Sequence, residues 1–156
     1  MLAGSGRLRR LLNFYVPFLG AGVRVDRITP DYLEIDVSMG LHFFNRNAMG
    51  THFGGSLYAM TDPFYMLMFM ERLGPAYVVW DKAASIDFVS PGRGRVMASF
   101  RLTNEEIERI KAEAESGRPV LPEYRVEVLD ERGNLVAAVS KTLYVRKKKP
   151  EAAQAS

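Results

Sequence analysis

The stretch NRNAMGTHFGGSLYAMTDPFYMLMFMERL, residues 45–73, decides the fold of this chain. It opens with a polar loop rich in glycine and asparagine, and from Ser56 to Leu73 it becomes apolar on nearly every side. Because a helix that is hydrophobic all round is a buried one, the sequence predicts one long helix in the core. Pro63 lies inside this helix and predicts a kink, since proline lacks a backbone N–H and its ring crowds the preceding turn.

Alternating apolar and polar residues flank the predicted helix on both sides. This period of two is typical of half-buried strands, and it predicts strands over residues 23–27, 32–39, 77–89, 95–102, 123–129 and 135–145. A charged stretch, 104–116, predicts a surface helix capped by Thr103 or Asn104, with Glu106 at capping-box spacing from Thr103. The order of elements predicts an α+β fold in which a curved antiparallel sheet wraps a long central helix.

With 156 residues and 47% hydrophobic content, the chain has the size and apolar content of one domain. We predict a single domain over residues 1–146, which includes an additional N-terminal helix over 6–19, and a disordered basic and polar tail over 147–156. The N-terminal residues imitate a signal peptide, but Asn13 and Pro17 interrupt the apolar run. We therefore expect a soluble, cytoplasmic protein without a membrane span.

The residue types that are missing exclude several kinds of chemistry. The chain has no cysteine, and its histidines are His42 and His52. Thiolate nucleophiles and disulfides are excluded, and a zinc site would lack ligands. The net charge of +3 comes from basic residues near the two ends, with no nucleic-acid motif between them. We expect no metal, no cofactor and no nucleic-acid partner, whereas an anionic small molecule would suit the mildly positive surface.

Asp62 is the charged residue in the apolar body of the predicted helix, two turns beyond Gly55. A carboxylate in apolar surroundings loses hydration, so it is either hydrogen-bonded for structure, to Tyr58 or Lys82 for example, or held ready as a base or nucleophile. The amides of Gly55 and Ser56 are first-turn donors that suit a carbonyl oxygen gaining negative charge. A flexible helix start would explain the glycines equally well.

The pattern Asn47-x-x-Gly50, then Gly54-Gly55, then Asp62 resembles the loop-and-helix signature of hotdog thioesterases of the phenylacetate-pathway type. The chain also resembles a bacterial branch of that superfamily that bears Gly-Thr-His-Phe-Gly-Gly and Trp-Asp-Lys motifs. The resemblance covers about residues 20–146 and implies a hotdog fold. It also implies that protomers pair into a dimer or tetramer, with acyl-CoA bound at the subunit interface.

The activity that this resemblance implies is hydrolysis of an acyl-CoA thioester, with coenzyme A present only as part of the substrate. Asp62 would be the general base or nucleophile, the Gly55 amide an oxyanion donor, and Asn47 the group that positions the thioester or the attacking water. Phe53 stands where the family has a histidine, and His52, displaced by one residue, is the remaining catalytic candidate. The residues expected to contact substrate are Gly54, Ser56, Phe53, Tyr58, Asp81, Lys82 and Arg93.

Asp81 and Lys82 interrupt the β-rich stretch beside the predicted helix. Successive strand residues point to opposite faces, so at most one of the two faces the helix. Lys82 could neutralise Asp62 across the subunit interface, or it could belong to an ordinary exposed ion pair. Three side chains either contact the phosphates of CoA or belong to the ordinary solvated surface: Arg93, Arg95 and Lys141.

Two other functions fit the same residues. A non-catalytic protein that binds acyl-CoA or an acyl lipid would keep the pocket without turnover. A hotdog enoyl-CoA hydratase or dehydratase would need His42 or His52 to act with a carboxylate as an acid–base pair. The fold alone does not decide among these functions.

Overall fold

The computed structural model describes residues 4–149. Along this part of the chain the helices are α1 (Ser5–Asn13), α2 (Val16–Ala21), α3 (Gly54–Ala59), α4 (Phe64–Leu73) and α5 (Asn104–Ala114). The strands are β1 (Val23–Ile28), β2 (Glu34–Met39), β3 (Tyr77–Phe88), β4 (Val96–Arg101), β5 (Glu123–Asp130) and β6 (Leu135–Lys147). The predicted strands are confirmed, with each end within about two residues of its predicted position.

The six strands form one antiparallel sheet in the order β1-β2-β4-β5-β6-β3. β3 pairs with β6 over its whole length, from Tyr77 opposite Lys147 to Phe88 opposite Ala137. Because β3 is last in this order, its other edge has no neighbouring strand among residues 4–149. The predicted antiparallel sheet is therefore confirmed, and it ends in a long open edge strand.

The core lies between one face of the sheet and α4. Alternate strand residues point to the same face, and the inward rows of β2 and β4 are Ile35, Val37, Met39, Val96, Ala98 and Phe100, all of them buried. The rings of Phe64 and Phe100 lie 4.8 Å apart between their centroids. Tyr65 stacks on Tyr124 of β5 at 4.3 Å. The sheet thus packs around a central helical layer, as the sequence predicted.

The central helix is broken into two, where the sequence predicted one helix with a kink. α3 ends at Ala59, and α4 begins at Phe64 after the N-cap residue Pro63. The hydrogen bonds of α4 begin with the Leu67 N–H, which donates to the Pro63 carbonyl at 2.9 Å. Because proline supplies no N–H to the preceding turn, the kink becomes a four-residue break that contains Asp62.

The N-terminal segment also differs from the prediction, because α1 and α2 replace the single helix expected over residues 6–19. The side chain of Asn13 bonds to both backbone groups of Val25, at 2.8 and 3.0 Å, which ends α1 against β1. Pro17 then occupies the first turn of α2, where a proline is favoured. Of the tail predicted over 147–156, Lys147 belongs to β6 and residues 150–156 lie outside the described residues.

The helix predicted over 104–116 is confirmed as α5 with its capping box. The Thr103 hydroxyl accepts from the Glu106 N–H at 3.1 Å, and the Glu106 carboxylate accepts from the Thr103 N–H at 3.0 Å. Between residues 4 and 149 no helix combines the length and the hydropathy that a bilayer crossing requires.

Candidate active site

Asp62 lies in the break between α3 and α4 rather than on a helix, and its side chain is 46% exposed. The Tyr58 hydroxyl donates to Asp62 Oδ1 at 2.9 Å, which confirms one of the two predicted donors. The Lys141 ammonium donates to the same oxygen at 3.1 Å. Both donors therefore approach Oδ1, while Oδ2 accepts no hydrogen bond from residues 4–149. The carboxylate is held by one oxygen and open at the other.

Lys141 is the cation of this cluster, and its side chain is 0% exposed. It occupies the inward row of β6 between Val139 and Leu143. Its Nζ lies 3.2 Å from Asp81 Oδ2 and also donates to the carbonyl oxygen of Asp62. An isolated buried ammonium costs several kcal/mol of unfolding free energy, so these oxygens are what allow it to stay in the core. We call Tyr58, Asp62, Asp81 and Lys141 the Lys141 cluster.

Burial raises the pKa of two members of this cluster, Asp81 and Tyr58. Burial is the largest influence on Asp81 and raises the pKa of its carboxyl; Lys141 opposes the rise, and the charge of Asp62 adds to it. Asp81 Oδ1 is buried and has no hydrogen-bond partner within the described chain. Burial, followed by the hydrogen bond to Asp62, raises the pKa of Tyr58 to about 12. Tyr58 is therefore a neutral donor at physiological pH.

Lys82 is not a buried donor to Asp62 within residues 4–149, and an ion pair between the two across a subunit interface stays a prediction. The register of β3 against β6 shifts between Asp81 and Ala83, which marks a β-bulge at Lys82. Asp81 stands opposite the buried Leu143 and therefore faces the helices, whereas Lys82 is exposed. Both alternatives for Lys141, a contact with CoA phosphates and a solvated surface position, are wrong as well, because its ammonium lies inside the core.

The loop before α3 is held together by the side chain of Asn47. Its amide donates to Thr51 Oγ1 at 2.9 Å and to the His52 carbonyl at 3.2 Å. Its Oδ1 accepts from the N–H groups of Met49 and Thr51, at 2.9 and 3.1 Å. Asn47 thus orders the loop in this structure, and a direct contact with substrate stays a prediction.

This loop and the end of β3 enclose a cleft of about 480 Å³, which we call the loop cleft. Its lining residues are Asn47, Met49, Thr51, His52, Gly54, Leu57, Phe88, Val89, Ser90, Pro91, Gly92 and Arg93. A mostly apolar wall with a few polar groups is typical of small-molecule sites. Arg93, exposed at the cleft, supplies a cation that could bind a phosphate.

His52 lies in the wall of the loop cleft and is 3% exposed. Its Nε2 lies 2.9 Å from the carbonyl of Gly94, so we assign the ring proton to Nε2. Burial lowers the pKa of His52, only partly offset by this carbonyl. Its Nδ1 is buried and without a hydrogen-bond partner in the described chain. His52 is therefore a neutral ring that has no carboxylate partner among residues 4–149.

The two glycines at the start of α3 allow close packing of aromatic rings. A Cβ at Gly54 would lie 2.8 Å from Cζ of Phe88, and one at Gly55 would meet the ring of Phe53. The Ser56 N–H already donates to the Phe53 carbonyl at 3.0 Å, so it is not the free donor that the sequence predicted. The Gly55 N–H makes no hydrogen bond to another described residue and stays the candidate oxyanion donor.

The predicted site residues fall into two groups within one chain. The loop-cleft group contains Asn47, His52, Gly54 and Arg93. The second group surrounds Lys141 and contains Tyr58, Asp62 and Asp81. The groups adjoin at α3, where Leu57 lines the cleft and the next residue, Tyr58, belongs to the Lys141 cluster. β3 also runs from one group to the other, from Asp81 to Phe88 over about 23 Å of extended strand.

Lys141 is the candidate that sequence reasoning placed wrongly. Its signal is strand parity, because Ala137, Val139, Leu143 and Val145 occupy the same face of β6 and are all buried. A lysine in such a row must find acceptors inside the core. Its partner Asp62 stands 79 positions earlier, so parity predicts burial without predicting the partner.

The profile of one protein family, described as a domain of unknown function (DUF4442), matches residues 4–145. None of the curated proteins matches the chain. These two findings connect the sequence to a family without supplying an activity.

Solved structures with the same architecture were found. PA5026 from Pseudomonas aeruginosa, described as a probable thioesterase, has a TM-score of 0.81 at 21% identity, over 92% of this chain and 96% of its own. Thioesterase HI1161 from Haemophilus influenzae has a TM-score of 0.69 at 16% identity, over 94% and 93%. At these identities the similarity shows the fold alone, and it confirms the predicted hotdog fold.

Proposed function

Because this chain belongs to the DUF4442 family and has a hotdog fold, we propose that it hydrolyses acyl-CoA thioesters, with Asp62 as the reacting carboxylate. The observation that carries the proposal is the arrangement of Asp62 itself. Two donors fix Oδ1, and the half-exposed side chain leaves Oδ2 open. A fixed carboxylate with one open oxygen suits a base or a nucleophile.

The proposed reaction adds water across the thioester. Either Asp62 takes a proton from water, which attacks the carbonyl carbon, or Oδ2 attacks directly and forms an anhydride that water then cleaves. In both routes the C–S bond breaks, the sulfur gains a proton, and the products are a carboxylic acid and CoA. The Gly55 N–H would donate to the carbonyl oxygen as its negative charge develops.

We propose further that two copies pair along β3, so that the loop cleft of one copy meets the Lys141 cluster of the other. In favour of this, β3 is a twelve-residue strand with an open edge, and its residues 82–88 are exposed except for Ile86. Long open edges are normally covered. An antiparallel pair about Ser85, the middle of this run, would set residue 82 of one copy opposite residue 88 of the other.

This pairing would set the loop-cleft group of one copy beside the Lys141 cluster of the other. Phe88 lines the loop cleft, and Asp81 contacts the ammonium that holds Asp62. The substrate carbonyl would then lie between the Gly55 N–H of one copy and Asp62 of the other. Arg93 at the cleft would bind the phosphates of CoA.

The surroundings of the two histidines count against the hydratase alternative. Nε2 of His52 faces the Gly94 carbonyl, and His42 stacks on Phe44 with 5.1 Å between ring centroids. Neither histidine pairs with a carboxylate within residues 4–149. The acid–base pair that a hydratase needs is therefore missing from the described chain.

A thiol-release assay with short, medium, long and aryl acyl-CoA esters tests the proposal. We expect release proportional to protein concentration, and equal release by Glu108→Gln, which alters an exposed carboxylate on the surface helix α5. Absence of release with every ester would contradict hydrolysis. Tight binding of an ester without release would instead support the acyl-binding function.

A further inference from the structure

Lys141 is a buried cation that donates to the carboxylate on which the proposed reaction depends. Its side chain is completely buried, although its neighbours in the inward row of β6 are apolar. A charge in such a place is retained only where specific acceptors surround it. The acceptors around Lys141 therefore indicate what the cation does at this position.

The contacts of Lys141 converge on Asp62. The ammonium donates to Asp62 Oδ1 at 3.1 Å and also to the carbonyl oxygen of the same residue. A third acceptor, Asp81 Oδ2, lies 3.2 Å away on β3. One cation thus fixes both the backbone and the side chain of Asp62, with Asp81 as the anchor on the other side.

The contact between Lys141 and Asp62 lies in the break between α3 and α4, where the backbone is not held by a helix. Asp62 lies in the break before Pro63, and its carbonyl stands outside the hydrogen-bond ladder of α4, which begins at Pro63. The Lys141 ammonium supplies a donor to that carbonyl. Lys141 Nζ also lies 5.7 Å from the centroid of the Tyr58 ring. The two donors to Asp62 Oδ1, Tyr58 and Lys141, therefore pack against each other.

We propose that Lys141 is the positioning residue of Asp62, fixing the carboxylate in its reactive orientation, with Asp81 as counter-anchor. This inference rests on the proposed thioesterase function. Lys141 lies on β6, so this strand would contribute a residue to the active site in addition to those of the loop-and-helix motif.

A positioning role for Lys141 predicts an electrostatic effect on the two carboxylates that a purely structural role does not. The groups that face the ammonium are Asp62 from the break, Asp81 from β3 and the neutral Tyr58 from α3. With Lys141 charged, the two carboxylates share one cation. Without it, two carboxylates would face each other in a partly buried site and bind a proton more readily.

The test compares Lys141→Met with wild type and with Lys111→Met, a matched change on the exposed surface of α5. We expect Lys141→Met to lower kcat roughly 100-fold with little change in KM, because the carboxylate loses its orientation. The acidic limb of its pH–rate profile should move to higher pH. Adding Asp81→Asn to Lys141→Met should move the limb back, and Lys141→Arg should keep it near that of wild type.

The results separate the inference from the function on which it rests. Wild type without turnover would overturn both. Turnover that depends on Asp62 but is unchanged in rate and pH profile by Lys141→Met would overturn the role of Lys141 alone. If Lys141→Met does not fold, Asp81→Asn decides the question, because it removes the counter-anchor of Lys141. The inference predicts a lower kcat with little change in KM, and a kcat equal to that of wild type would overturn it.

Discussion

The two oxygens of the Asp62 carboxylate have different surroundings. Oδ1 accepts from Tyr58 and Lys141, whereas Oδ2 accepts from no residue in the described chain. Since hydrogen bonds to a charged group are stronger than neutral ones, this asymmetry fixes which oxygen faces the substrate. The reactivity that we propose for Asp62 therefore depends on its two donors as well as on its own charge.

Tyr58→Phe should lower kcat about tenfold and leave KM nearly unchanged, because it removes the neutral donor to Oδ1 and keeps the ring beside Lys141. Steady-state kinetics on the preferred ester would measure this. Tyr15→Phe, a change of the same kind at an exposed position, should leave kcat unaltered. A Tyr58→Phe enzyme with the rate of wild type would show that the hydroxyl does not orient Asp62.

His52 should make the fold less stable in acid. Burial lowers the pKa of His52 in the folded state, so below about pH 6.5, the ordinary value, the unfolded chain binds a proton that the folded one does not. The contribution is present above that pH and is lost as the pH falls toward the folded-state value. Urea unfolding on both sides of this pH should therefore show a smaller loss in His52→Gln than in wild type. An equal loss in the two proteins would contradict a buried neutral ring.

The end of α2 anchors the loop that carries Asn47 and His52. Gly22 ends this helix with a φ of +80°, and a Cβ there would meet the amide of the buried Asn45. The Asn45 amide in turn donates to the carbonyls of Ala21 and Gly40, at 3.0 and 2.8 Å. The conformation of this one glycine therefore supports the loop that lines the cleft.

Gly22→Ala should destabilise the fold by about 1–3 kcal/mol, because alanine is strained at positive φ and would displace Asn45. The matched change Gly20→Ala falls inside α2, where a Cβ has open space, and should be neutral or stabilising by up to about 1 kcal/mol. Urea unfolding of both variants measures the difference. Equal free energies of unfolding would contradict the close packing at Gly22.

The elements that local patterns specify could be predicted from sequence. The alternation of β2 and β4 and the capping box at Thr103 depend on residues a few positions apart, and the structure confirms them. The partner of Asp62 could not be predicted, because Lys141 lies on a distant strand. The half-exposure of Asp62 was also missed, since Pro63 breaks the helix rather than only kinking it.

The edge of β3, which no strand among residues 4–149 covers, is a surface along which two copies of the chain could pair. An uncovered strand of this length invites pairing with a second copy, and a two-fold axis at Ser85 would make that residue face itself. The proposed composite site therefore requires the dimer. A monomer would lack the Asp62 that a second copy would bring to the loop cleft.

Ser85→Glu should convert the proposed dimer to a monomer and abolish turnover, because two like charges would face each other across the axis. Light scattering coupled to gel filtration measures the mass. Ser116→Glu adds the same charge at an exposed position near the end of α5 and should change neither mass nor rate. A Ser85→Glu protein that stays dimeric and active would contradict pairing along β3.

The central claim is that the Asp62 carboxylate performs the chemistry, and the thiol-release rate of Asp62→Asn tests it most directly. The variant keeps the size of the side chain and an acceptor for Tyr58 and Lys141, so circular dichroism should show an intact fold. We predict that kcat falls roughly 1000-fold relative to wild type and to Glu108→Gln. A folded Asp62→Asn protein that releases thiol at the rate of wild type would contradict the claim.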